Sequence, residues 1–165
     1  MIALKKVLVA TDFSEPSEAA LAYGRELART FGAALTVLHV VDNLLTRAYG
    51  TEGFVVAEPD LQAGLEASAR AQVDALLWAE DGDILRATGF VITSNEPAAA
   101  IVTYARDAGT DLLVMGTHGR GAVAQLLMGS VAERVVRTAP CPVLTVRHPE
   151  HEFVLPEALV AVAKA

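Results

Sequence analysis

At 165 residues the chain has the length of one domain, and 53% hydrophobic residues give it enough apolar surface for a sizeable core. A net charge of −7 with only 5% aromatic residues excludes a broad phosphate-backbone footprint and stacking platforms for single-stranded nucleic acid, so any anion site must be local. No apolar run reaches the roughly eighteen residues of a membrane helix, MIALKKVLVATDF lacks the cleavage site of a signal peptide, and the single cysteine excludes an internal disulfide and suits a reducing cytoplasm.

Lys5–Ala10 (KKVLVA) is a short Val/Leu-rich run that predicts a first strand, ending at Thr11-Asp12-Phe13-Ser14. Ser14 is a suitable N-cap, Pro16 fits a first turn, and helix formers continue to Phe31 before a stopping Gly32. Ala34–Val41 (ALTVLHVV) predicts a second buried strand. Asp42–Pro59 shows no period and predicts a long loop. Leu61, Leu65, Ala69, Val73 and Leu76 then mark the apolar face of a long helix. Arg86–Thr93 predicts a third strand, Pro97 opens a helix to Ala108, Asp111–Gly116 a fourth strand, Ser130–Thr138 a helix, and Pro142–Val146 a fifth strand. Cys141 lies between two prolines, where a small packing residue is expected.

Strands alternating with helices imply right-handed crossovers and a mainly parallel sheet covered on both faces, a single doubly wound α/β domain. Residues 1–147 form that domain. His148–Ala165 is a tail with a short helix expected from Pro156; its His148 and His151 lack a third metal ligand. In such sheets ligands bind beyond the carboxyl ends of the strands, where the order reverses. If strands one and four are neighbours there, Ala10-Thr11-Asp12, Val40-Val41-Asp42 and Met115-Gly116 line one crevice.

The stretch VMGTHGRGAVAQLLMGSVAERV, Val114–Val135, carries two glycine-rich corners around a segment whose only formal charge before the closing helix is Arg120. A P-loop does not fit, because Ala122 and Val123 stand where Lys and Ser/Thr belong. A dinucleotide fingerprint should follow the first strand, where the chain reads Thr-Asp-Phe-Ser. What remains is Gly116, two residues, Gly119, nine residues, Gly129 and then Ser130. Gly116 and Gly119 remove Cβ atoms that would hold a phosphate off the backbone, and permit positive φ. Their amides can form an anion nest, and the free N–H groups of the helix after Gly129 favour negative charge. Ser130 serves as N-cap or as a phosphate contact. No carboxylate occurs between Leu112 and Ala132. Arg120 reads equally as a phosphate contact or a solvated loop charge, and His118 as structural rather than as a base.

These blocks, with KKVLVATDFSEPSEAALAYG, LTVLHVVD, DLLVMGTHGRG and MGSVAERVVRTAPCPVLTVR in that order, resemble the universal stress protein family, in the subgroup whose glycine motif is associated with ATP binding. The resemblance covers most of residues 4–147. It implies a Rossmann-like five-stranded sheet of order 3-2-1-4-5 and an ATP site built from Ala10, Thr11, Asp12, Val40, Met115, Gly116, His118, Gly119, Arg120, Gly121, Gly129, Ser130 and Val131. Asp12 would lie near base and ribose, and would be the one protein ligand of a Mg or Mn ion carried on the nucleotide. Val40 would offer its backbone to the adenine edge, His39 beside it being read as a packing residue. Ala10 departs from the proline frequent in the family. A homodimer through Val143, Leu144, Thr145 and Val146 is implied too. The function implied is a stress-response regulatory module that binds ATP, with no catalytic residue assigned. A slow ATP hydrolase or nucleotide-transforming enzyme is the alternative, and a nucleotide-free dimeric interaction protein a second.

Overall fold

The computed structural model of the chain describes residues 3–44, 59–77, 85–117 and 128–147. In chain order these form β1 (Lys6–Thr11), α1 (Glu15–Phe31), β2 (Ala34–Val41), α2 (Pro59–Leu76), β3 (Thr88–Thr93), α3 (Pro97–Ala108), β4 (Leu112–Gly116), α4 (Ser130–Thr138) and β5 (Val143–Val146). All strand pairings are parallel and the order is β3-β2-β1-β4-β5. The tail 148–165 lies outside the described residues.

Because successive strand side chains point to opposite faces, the apolar runs feed two cores. Val7, Val9, Leu35, Val37 and Val114 pack with Ala20, Leu21 and Ala28 of α1 and Val73 of α2. Leu8, Leu38, Leu113 and Met115 pack on the other face with Ala98, Ile101 and Ala105 of α3 and Ala132 and Val135 of α4. Double-sided burial is why the strands read as continuous hydrophobic runs without alternation. α1 ends where the sequence predicts, at Gly32 with φ 63°, its N–H returning to the Ala28 and Arg29 carbonyls. Arg25, buried on α1, donates to the Leu76 carbonyl at the end of α2.

Three local expectations are corrected. Ser14 occupies the N-cap position of α1 but makes no side-chain cap bond; its hydroxyl donates instead to the Asp12 carboxylate. α4 begins at Ser130, so the N-cap position falls to Gly129, which has no side chain to cap with. On α2, Leu61 and Leu65 are 56% and 39% exposed, while Gln62 is only 6% exposed. The apolar stripe holds at Ala69 and Val73, but the first turns of α2 face polar strand exits rather than the sheet core.

Candidate functional site

β1 is the strand at which the winding reverses: β2 and β3 extend to one side, β4 and β5 to the other. A cleft of about 420 Å³ opens beyond its carboxyl end, within the size range of small-molecule sites. Ala10, Thr11 and Asp12 come from β1, Val40 and Asp42 from β2, Met115 and Gly116 from β4, and Gly129, Ser130 and Val131 from the start of α4. Pro97 and Ile101 of α3 form a further wall. His118, Gly119, Arg120 and Gly121 lie outside the described residues.

Hydroxyl and carboxylate bonds shape the corner after β1. Asp12 Oδ1 accepts the Ser14 N–H at 3.2 Å, an Asx turn. Ser17 Oγ donates to the Ser14 carbonyl at 2.8 Å, so the Thr11 hydroxyl is the donor in its 3.0 Å bond to Ser17 and accepts the Phe13 N–H at 3.0 Å. Phe13 is thereby held at φ 63°, an uncommon conformation for a residue with a side chain. Its ring lies 4.3 Å from that of His39. His39 Nδ1 is 2.8 Å from the Thr11 carbonyl, which only accepts, so Nδ1 carries the proton. His39 does pack, as expected, and it also lines the cleft.

Backbone polarity sets the β2 side. The Val41 carbonyl accepts the Ser94 N–H just past β3, and successive residues of a strand between two neighbours direct their N–H and C=O to opposite sides. Val40 therefore directs both groups toward β1, whose pairing with β2 ends at Thr11 opposite His39. The Thr11–His39 pairing takes the Val40 N–H to the Thr11 carbonyl, and the Val40 carbonyl, past the last ladder bond, is the polar group that β2 brings to the cleft.

On the opposite side, the Gly129 N–H donates to the Thr117 carbonyl at 2.8 Å, joining the exit of β4 to the start of α4. Gly116 and Gly129 thus both line the cleft, with no side-chain cap on α4. Gly116 does not use the positive φ that glycine permits, and Gly129 is extended at φ −60°, ψ 149°. What requires glycine at position 116 is α1: a Cβ there would lie 3.0 Å from the Cβ and backbone of Pro16. Among the described residues no three His, Cys, Asp or Glu side chains gather to hold a metal ion, so Asp12 fits only a cation that brings its other ligands with it. Cys141 is half-buried away from the cleft, and burial pushes its thiol pKa up, which leaves it protonated and unreactive at neutral pH.

Leu38, Pro97, Ile101 and Ala132 line the cleft without having been singled out from the sequence; Asp42 was expected at its edge, and His39, read as a packing residue, lines it as well. Pro97 and Ile101, one turn apart at the start of α3, carried a usable signal: a helix that follows a strand's carboxyl end begins at the binding edge of the sheet.

An open, doubly wound α/β sheet with a cleft at its reversal point, edged by strand-exit and helix-start amides, defines the class. The chain belongs to the universal stress protein family, whose model matches residues 3–147. A universal stress protein of Thermus aquaticus is 38% identical over 145 residues, covering 87% of this chain and 98% of its own. The structure of UspA from Lactobacillus plantarum superimposes with TM-score 0.72 at 25% identity, over 89% of this chain and all of the other. A universal stress protein from Archaeoglobus fulgidus, solved in complex with dAMP, shares the fold at TM-score 0.56 and 22% identity, covering 88% and 98% of the two chains. No described helix is long and apolar enough to cross a membrane.

Proposed function

We propose that the cleft binds ATP and that the chain is a stress-response regulatory module whose nucleotide state sets its conformation or its partner. The observation that carries this reading is the 2.8 Å bond from Gly129 to Thr117. It joins the exit of β4 to the uncapped start of α4, on the cleft that Val40 also lines from β2. The two sides have opposite chemistry. The Val40 carbonyl would accept from the amino group of adenine. The N–H groups at Ser130 and Val131, with the helix dipole, match phosphate. Asp12, which lines the same cleft, would contact the ribose. Met115 and Ile101 supply apolar wall. The sequence spacing adds His118, Gly119, Arg120 and Gly121 to the phosphate side. The dAMP complex of the Archaeoglobus fulgidus relative supports an adenine nucleotide in this fold. A Mg or Mn ion would be held by the nucleotide phosphates with Asp12 as protein ligand, and would neutralise phosphate charge.

Calorimetric titration of the purified chain with ATP is expected to show saturable binding, one nucleotide per chain. Mass spectrometry of ligand released from an unsupplemented preparation is expected to find ATP. Accumulation of ADP and phosphate on incubation would favour the hydrolase alternative, and failure to bind any adenine nucleotide would leave the interaction-protein alternative.

A further inference from the structure

Gln62 stands in the first turn of α2 and is 6% exposed, where an amphipathic helix would carry an apolar residue. Its carboxamide oxygen accepts the Leu44 N–H at 2.9 Å, and its amide group donates to the Asp42 carbonyl at 3.3 Å and to Glu66 Oε1 at 2.9 Å. The donors and acceptors around it allow only this orientation of the amide. Glu66 Oε1 also accepts the Thr93 hydroxyl at 2.7 Å, at the end of β3. From the other side Asn95 grips Asn43 with both amide atoms, accepting its N–H at 2.8 Å and donating to its carbonyl at 3.2 Å. Two side chains thus hold four consecutive backbone polar groups of Asp42–Leu44, the segment by which β2 leaves the sheet. Asp42 and Val40 of that exit line the cleft.

We infer that Gln62 and Asn95 are positioning residues for base recognition: they fix the β2 exit, and so make the cleft discriminate adenine from guanine nucleotides. The inference rests on the nucleotide reading of the cleft. Adenine presents an amino donor beside a ring acceptor, whereas guanine presents a carbonyl acceptor beside a ring N–H. A rigid Val40 carbonyl that accepts from the adenine amino group meets the guanine carbonyl acceptor to acceptor. Discrimination comes from polar groups left unpaired, and only a backbone that cannot shift leaves them so. An exit free to pivot would re-pair with either base.

The test compares dissociation constants for ATP and GTP in the parent, in Gln62→Leu and in Asn95→Ala, with melting curves taken without nucleotide. The parent is expected to prefer ATP. Gln62→Leu is expected to narrow that preference about tenfold, the worth of one well-made hydrogen bond, with Asn95→Ala moving it the same way. A clasp that only stabilises the fold would lower the melting temperature and leave the ATP-to-GTP ratio unchanged, and that result overturns the inference. So does a parent that binds both nucleotides equally. Asn95 is exposed, so its variant decides the matter if Gln62→Leu does not fold. A parent that binds neither nucleotide removes the cleft reading itself, and the inference with it.

Discussion

Asp12 uses one carboxylate oxygen to close the turn after β1, on the Ser14 N–H and hydroxyl, and faces the cleft at the same time. Replacing it by Ala is expected to cost the nucleotide-free protein about 1 kcal/mol, the worth of a lost cap or turn bond, while lowering ATP affinity. Chemical denaturation and calorimetry read the two effects separately; a large loss of stability with affinity intact would confine Asp12 to the turn. Glu66 offers a second test at this scale. Donation by the Thr93 hydroxyl, and then by Gln62, holds its carboxyl below the ordinary value of 4.5. The stability it contributes is therefore full above that value and lost as pH falls through the folded pKa. Thr93→Val is expected to raise the Glu66 titration midpoint, read by NMR of the side-chain carboxyl carbon; an unmoved midpoint would leave Gln62 as the sole cause. Residue roles were only partly legible in the sequence. The spacing of Gly116 and Gly129 located the cleft, yet it could not tell that Pro16, from a distant turn, is what excludes a side chain at position 116.

The helices differ in how their packing could be foreseen. α1 starts after Ser14 without the expected cap bond and stops at Gly32 as its sequence signals, and it lies on β1 so closely that an added Cβ at Gly24 would come 2.4 Å from Val9 Cγ2. Two effects oppose each other at that site. Ala in place of Gly raises helix propensity by about 1 kcal/mol, but forcing a methyl against a fully buried, β-branched Val9 costs about 1–3 kcal/mol. Gly24→Ala is expected to lower the denaturation midpoint, and an increase would mean that α1 lifts off the sheet without loss. α2 was the element least legible. Its three- and four-residue apolar spacing identified the helix, but Leu61 and Leu65 are exposed and Gln62 faces inward. Periodicity measures apolar surface along one helix axis; it carries no information that the first turns of that helix meet the exits of β2 and β3, whose backbone groups require polar partners.

At the level of the whole molecule, alternating strands and helices foretold the parallel sheet, because right-handed crossovers leave few ways to connect such elements. Strand order and edge identity depend on contacts between distant segments and came with the family resemblance. Among the described residues that order leaves β5 at one edge, paired on its inner side to β4 alone. The Leu113 N–H donates to the Pro142 carbonyl and the Thr117 N–H to the Val146 carbonyl. Pro142, Leu144 and Val146 therefore address β4, and the alternate residues Val143 and Thr145 direct their N–H and C=O outward. Unpaired edge groups of this kind are templates for another chain, and two copies meeting antiparallel about a two-fold axis would satisfy both edges at once. We expect a homodimer through Val143–Val146. Thr145→Pro is the cleanest probe, since it deletes an outward N–H and leaves the bonds to β4 in place. Sedimentation at micromolar concentration should find the parent dimeric and the variant a folded monomer. A parent already monomeric, or a variant that stays dimeric, would move the interface away from β5.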